Sequence, residues 1–446
     1  MGLKRPNKLL EKSQKKRNRK GKKCKHVSSW IKLPYPAIVK VLENLSDNER
    51  VHSAQVCQSW KHAFQSPRLW RTRHFIFGGP KANASGSKAL AFVRTKGRYL
   101  QRVFVSCHHI TSNTCESITN TLDTFVSHLK DADLEEFHIS GLELDRFWKY
   151  SHLRENVADS LLKLLRAKRN LKVLELTQAQ FGLLPGTKVL QTVSQACGTK
   201  LCRLLLEDFF HSYLAVFDLE QFRMALQSFS NLTVVSLNYC CIYDELIKGW
   251  AESLRGKLST LRLKACDNEA HAHTINDSSW KALVLSCPNL ILDLSIVGIG
   301  PASSLVPILA PNAPLTTLHI WSGYDNDLPL QLNDTLNHIA SNYRIRLTSL
   351  DLDFDNYQDD IDDALIRVVA HCRNLKHLKL KAVSSTRVAS AICQLVRERQ
   401  TVLTSADIML CAISDPSMEL LRDLREDMES LAQERGISLV LQNDLF

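Results

Sequence analysis

The sequence predicts an α/β chain: an N-terminal three-helix segment followed by an irregular solenoid of about eleven strand–helix units. Three observations predict it. A short hydrophobic motif, L-x-x-[LVIF]-x-[LVI], recurs roughly every 30 residues from Leu100 onward. Amphipathic helical stretches fill the intervals. Ahead of the repeats, the stretch from Leu33 to Trp70 carries short apolar stripes separated by capping and breaking signals.

The chain starts with charge. Of 57 basic and 46 acidic residues, 12 and 1 lie in residues 1–26, which leaves 45 of each elsewhere. The net charge of +11 is therefore a property of the tail, and the remainder is neutral. The run KKRNRKGKK, with Lys15, Lys16, Arg17, Arg19, Lys20, Lys22 and Lys23, has no hydrophobic period and is expected to be disordered. It reads as a nuclear-import signal or as a solubilising tail. No aromatic side chains alternate with its bases, which argues against nucleic-acid recognition. Thirteen scattered cysteines without a CxxC pair read as reduced thiols. No apolar run is long enough for a membrane helix, and no secretory signal precedes the fold. Cytoplasm and nucleus are the expected locations.

The helical segment follows, expected over residues 30–75. Pro34 and Pro36 sit at a helix entrance, where a missing N–H costs nothing. Ile38, Val41, Leu42 and Leu45 then form one apolar stripe. SDNE, from Ser46 to Glu49, is a capping box that opens a second helix bearing Val51, Ala54, Val56, Cys57, Trp60 and Phe64. Pro67 ends it, and Leu69 and Trp70 begin a third piece. So short a segment leaves more large apolar side chains than it can bury.

Leu33-Pro34, Ile38, Leu42, Leu45, Val56-Cys57, Trp60, Pro67 and Leu69-Trp70 together resemble the F-box. The resemblance implies docking on the Skp adaptor of a cullin-RING ubiquitin ligase. By the family pattern, Leu33, Pro34, Ile38, Val41 and Leu42 are the candidate docking residues.

Residues 95–446 are expected to form the solenoid. Copies of the motif start at Leu100, Leu134, Leu171, Leu201, Leu232, Leu258, Leu315, Leu347 and Leu375. ILDLSI from Ile291 is degenerate, and LTSADI from Leu403 places Ala406 in an apolar slot. One unit cannot bury its own apolar face, but stacked units share a core. The pattern resembles the helix-bearing leucine-rich repeat, with the asparagine usual after the strand mostly absent. ISLVLQN, from Ile437 to Asn443, is expected to close the C-terminus. The stretches from Leu206 to Leu232 and from Asn238 to Leu246 also resemble one branch of the F-box proteins.

In the motif, positions one, four and six are core, and strand alternation sends positions three, five and seven to the concave face. Phe104, His138, His319, Trp321, Asp351, Asp353 and Lys379 are the candidate substrate contacts, an aromatic and charged set suited to gripping a peptide. Three apparent chemical motifs read as ordinary repeat surface. DLDFDNYQDDID lacks the glycine and final glutamate of a calcium loop. CDNEAHAH lacks a fourth zinc ligand. CGTK, beginning at Cys197, has no assignable base. No metal, cofactor or catalytic residue is assigned. The expected function is a non-enzymatic substrate receptor of an SCF-type ligase, bound to the Skp adaptor and cullin-RING scaffold and to an unidentified substrate protein. The alternative is a repeat scaffold without a ligase.

Overall fold

The computed structural model describes residue 30 and residues 33–142, 151–211, 216, 219–269, 274–323, 329–411 and 417–444. The basic tail lies outside the described residues. The chain divides into two compact units, residues 1–69 and 70–446.

The first unit contains helices α1 (Tyr35–Glu43), α2 (Asp47–Ser53) and α3 (Gln58–Phe64), followed by a 3₁₀ turn at Pro67–Trp70. The sequence predicts one helix after Ser46, and the structure splits it in two. Cys57 is fully extended (φ −162°, ψ 171°) and restarts the chain as the cap of α3. The capping box forms as expected: the Ser46 side chain accepts from the Glu49 N–H, and the Glu49 carboxylate accepts from the Ser46 N–H at 2.8 Å. Arg50 then ties α2 back to α1. Its Nε donates to the Leu42 carbonyl at 2.7 Å and its terminal nitrogen to that of Glu43 at 3.1 Å. Both carbonyls lie in the last turn of α1, where a helix end is short of donors, and that of Leu42 also accepts from the Leu45 N–H at 3.2 Å.

Among the described residues, the second unit is one parallel sheet of thirteen strands in strict chain order. The strands are β1 (Thr72–Ile76), β2 (Arg102–Ser106), β3 (Glu136–Ser140), β4 (Val173–Leu176), β5 (Arg203–Leu205) and β6 (Val234–Asn238). They continue as β7 (Thr260–Cys266), β8 (Ile291–Val297), β9 (Leu315–Trp321), β10 (Ser349–Asp353), β11 (His377–Val383), β12 (Ser405–Cys411) and β13 (Ser438–Asp444). Most successive connecting helices pack on one another. Motif positions four and six supply the core: Val103 and Val105, Phe137 and Ile139, Leu261 and Leu263, Leu350 and Leu352 are all buried. Register aligns these residues into columns, as in Leu318–Leu350–Leu378–Ala406. This is the leucine-rich-repeat solenoid the motif predicts.

Two features depart from the expectation. The solenoid starts at β1 and not near residue 95. The slot that pairs with Val103 holds Arg73, whose guanidinium lies over the rings of Phe92 (4.6 Å) and Trp70 (5.3 Å). A stacked arginine fills the position without matching an apolar motif. The helix that follows, α4 (Ala82–Lys96), buries small residues, among them Gly86, where a Cβ would stand 2.9 Å from the Thr121 methyl. The second departure is at β8. Ile291, expected in a core slot, is exposed, while Leu290, Leu292, Leu294 and Ile296 are buried. Leu294 pairs with Leu263 on one side and Leu318 on the other, positions six and four of their motifs, and the β8–β9 register shifts at Leu292/Asp293. The pattern slips by one pleat there, which moves the core residues without flipping the face. Ala406 and β13 take the places expected of them.

Candidate functional site

In the first unit, apolar residues are divided between an interior and a solvent face. Ile38 and Leu42 are 1% and 0% exposed, alongside buried Val39, Trp60 and Ala63. They are interior residues of the folded chain, and not the free docking surface the family pattern implies. Leu33 and Val41 are half-buried and Pro34 is exposed. Among the described residues of this unit, the large apolar side chains in solvent are Trp30 (58%), Tyr35 (43%), Val51 (46%) and Val56 (66%). Sequence reading assigned none of these to docking. Val51 and Val56 fall off any single helical stripe because the helix breaks between them, and that break was the missing signal.

On the solenoid, the sheet face opposite the helices carries motif positions three, five and seven, as expected. The candidate residues fall into two groups. The first spans β1 to β4. His74 stacks on Phe104 (centroids 4.5 Å, 11°), and Phe104 stacks on His138 (4.3 Å, 16°). The His138 Nδ1 then meets the Glu175 carboxylate at 2.8 Å. These residues are direct cross-strand neighbours. His138 is buried within this ladder. The aromatic group therefore presents mainly His74 and part of Phe104 to solvent.

The second group spans β9 to β11 and brings together His319, Trp321, Asp351, Asp353 and Lys379. Asp351 accepts from His319 at 3.2 Å and lies 3.5 Å from the Lys379 Nζ; Lys381 lies 3.7 Å from Asp353. Burial works to raise the Asp351 pKa, but the bonds to His319 and Lys379 outweigh it and hold the carboxyl below its usual range. Trp321 stands half-buried beside Asp353. The group is a partly neutralised charged strip with one large ring.

A third polar cluster lies at the C-terminal ends of β5 to β7. Lys264 donates to Asp208 at 2.6 Å, and Glu207 lies 3.7 Å away. Asn238 bridges Asp208 and Glu269. Burial drives the Glu269 carboxyl up to about 7. Burial opposes the charge on Lys264, but the Asp208 bond and charge prevail and raise its pKa. Asp208, Cys266 and Glu269 have ligand atoms close enough to share a cation. The Lys264 ammonium already supplies a positive charge to Asp208, and burial pushes the Cys266 thiol up to about 12, away from the thiolate a metal needs.

In the calcium-like stretch the polar side chains have structural partners. Asn356, at the glycine position of the calcium-like loop, is buried and bonds the Val383 N–H and carbonyl, both at 2.8 Å. Asp359 accepts from the Leu330 N–H at 2.8 Å, and Asp362 from the Ser384 hydroxyl at 2.7 Å. These side chains bind one repeat to the next. Of CDNEAHAH, His271 and His273 lie outside the described residues. Cys197 is buried and its thiol is pushed up to about 11 by burial.

Residues 30–72 match the F-box domain family model. A bovine protein, F-box/LRR-repeat protein 8, is 26% identical over 145 residues, 32% of this chain and 37% of that relative's length. Together these support an F-box protein with leucine-rich repeats. Among solved structures, a chain of the yeast Rad7 and Elc1 complex is similar over 87% of this chain and 90% of that one (TM-score 0.39, 15% identity). The leucine-rich repeat-containing protein LegL7 from Legionella pneumophila is similar over 72% and 97% (TM-score 0.39, 14% identity).

Proposed function

We propose that the chain is the substrate-recognition subunit of an SCF-type ubiquitin ligase. The first unit holds the Skp adaptor, which the cullin-RING scaffold carries, and the open face of the solenoid holds a substrate protein. The chain contributes no chemistry of its own. It raises the effective concentration of a substrate lysine near the ubiquitin carrier. The observation that carries this reading is the F-box match over residues 30–72, on a unit that keeps Trp30, Tyr35, Val51 and Val56 in solvent. In this reading Leu33, Pro34 and Val41 lie in the docking surface with those four, and Ile38 and Leu42 support it from within. In this reading the stretches at Leu206–Leu232 and Asn238–Leu246 resemble F-box only protein 39 and, more weakly, F-box only protein 33. The basic run from Lys15 to Lys23 serves as an import signal, giving nuclear as well as cytoplasmic residence.

Co-purification with the Skp adaptor tests the reading. Wild-type chain retains the adaptor, and the pair Leu33→Ala with Pro34→Ala loses most of it. Failure of the wild-type chain to retain the adaptor would instead favour a repeat scaffold without a ligase. Deleting residues 1–26 removes the nuclear signal in fluorescence imaging and leaves adaptor capture intact; an unchanged distribution refutes the import role.

A further inference from the structure

Outside the sheet face, the solenoid has a groove of about 590 Å³ along the rim where β9, β10 and β11 begin. Three arginines line it. Arg344 and Arg346 belong to the loop before β10, and Arg373 to the loop before β11. The rest of the lining is Pro311, Asn312, Ser341, Asn342 and apolar side chains, among them Ile345, which is 75% exposed. No carboxylate is among the lining residues.

The charge state of this groove differs from that of the sheet face. There, Arg262, Lys264, Lys379 and Lys381 each have a carboxylate within 4 Å on a neighbouring strand or loop. Among the described residues, Arg344, Arg346 and Arg373 have no such partner. One acid bonds a lining residue: Asp277 accepts from the Asn312 N–H at 2.6 Å and from its side-chain amide, and keeps its negative charge. The groove therefore gathers three guanidinium groups that make no ion pair among the described residues, with the single Asp277 carboxylate held by Asn312 at its edge.

The backbone beneath them is fixed. The Arg373 N–H donates to the Arg344 carbonyl at 3.0 Å, and the Asn374 amide to the Ile345 carbonyl at 2.6 Å. The buried Tyr343 hydroxyl donates to the Ala310 carbonyl at 2.8 Å. Adjacent repeats are thus laced together at this point, so the arginines project from a pre-formed floor. Guanidinium groups pair with carboxylates through two parallel N–H donors. A volume of this size falls in the range of ~300–1,000 Å³ typical of ligand clefts.

We propose that this groove docks an acidic, extended segment of a partner protein, with carboxylates on Arg344, Arg346 and Arg373 and an aliphatic side chain against Ile345. The two arginine-bearing loops come from consecutive repeats, so the positive charge is spread along the rim, which suits several carboxylates in sequence. The only aromatic in the lining is Tyr343, which is buried, so bases of a single-stranded nucleic acid find no stacking platform. The proposal does not depend on adaptor docking by the first unit.

Fluorescence anisotropy on the full chain tests it. The probe is a labelled eight-residue peptide of aspartates and glutamates around one leucine. It binds, weakens as salt is raised from 50 to 300 mM, and is displaced by the unlabelled peptide. The peptide with every acid replaced by its amide does not bind. Each of Arg344→Glu and Arg373→Glu weakens binding at least tenfold, and Lys88→Glu on α4 leaves it unchanged. These arginines are exposed, so the variants keep the wild-type melting temperature and adaptor capture. Equal binding by wild type and the Arg344→Glu/Arg373→Glu double variant overturns the proposal. So does tenfold tighter binding of a phosphoserine peptide or of an oligonucleotide of matched charge, which would assign the groove to a different ligand.

Discussion

The two units handle apolar surface in opposite ways. The solenoid stacks its mainly aliphatic core residues into columns from β2 to β13, and each repeat closes the core of its neighbour. The first unit has a small interior of Ile38, Val39, Leu42, Trp60 and Ala63, and it leaves Trp30, Tyr35, Val51 and Val56 in solvent within about forty residues. The repeat array also exposes large apolar side chains, Leu285 and Ile345 among them, but they are spread along its length, whereas the helical unit carries its four within about forty residues. Exposed apolar side chains gathered on so small a unit point to a partner. The comparison also predicts how substitutions behave. Core changes in the solenoid act on stability, and surface changes in the first unit act on binding.

The largest effect is expected from Trp250→Ala. Trp250 is fully buried in the helix Asp244–Ser253. Removing a buried indole costs ~3–5 kcal/mol through lost transfer energy and the cavity left behind. Urea unfolding followed by circular dichroism should show that loss in the solenoid transition. A change below ~1 kcal/mol would mean that stacked repeats absorb cavities far better than ordinary cores do.

Lys168→Met comes next. Lys168 is buried and its ammonium donates to three carbonyls, of Leu129 at 2.9 Å, Lys130 at 2.7 Å and Ala132 at 2.6 Å. Burial lowers its pKa to about 8, while Asp131 and Asp133 pull it back up. Methionine keeps the stem and strands the carbonyls, at a cost of ~2–3 kcal/mol at pH 7. The folded pKa lies below the ordinary 10.5, so the unfolded chain binds more protons between pH 8 and 10.5, and wild-type stability gains from this group as pH rises through that window. The Met variant lacks that gain.

Glu269→Gln tests the cluster at the ends of β5 to β7. Its folded pKa of about 7 lies above the ordinary 4.5. The folded state therefore holds the proton more tightly, and the stability contributed below pH 4.5 is lost as pH rises to about 7. Glutamine removes this slope and stabilises the protein at pH 8 by ~2 kcal/mol. An unchanged slope would show that Glu269 is ionised throughout.

Much of this architecture was legible because hydrophobic spacing is local. The motif placed β2 to β7 and β9 to β12, and the capping box marked the start of α2. What escaped was non-local. Arg73 occupies a core slot through stacking on Trp70 and Phe92, so β1 carried no motif. The slip at β8 needs both neighbouring strands to be seen. His138 and Glu175 are 37 residues apart, and Lys264 and Asp208 are 56 apart, so no spacing rule joins them. The burial of Ile38 and Leu42 escaped for a related reason: a stripe shows that residues share a face, but it does not say whether that face meets the chain itself or another protein.

The smallest expected effects lie in the first unit, and they separate folding from docking there. Ser46→Ala removes the capping bond to the Glu49 N–H and costs ~1 kcal/mol. Val51→Ser with Val56→Ser changes stability by less than ~0.5 kcal/mol, because both side chains are already in solvent and truncating them opens no cavity. The same double variant should reduce adaptor capture at least tenfold, since a docked valine contributes ~1.5–3 kcal/mol on burial. Thermal melting and capture measured on one preparation decide the matter. If melting falls and capture follows in proportion, the two valines are part of the fold; if capture falls alone, the solvent face of this unit was shaped by a second protein.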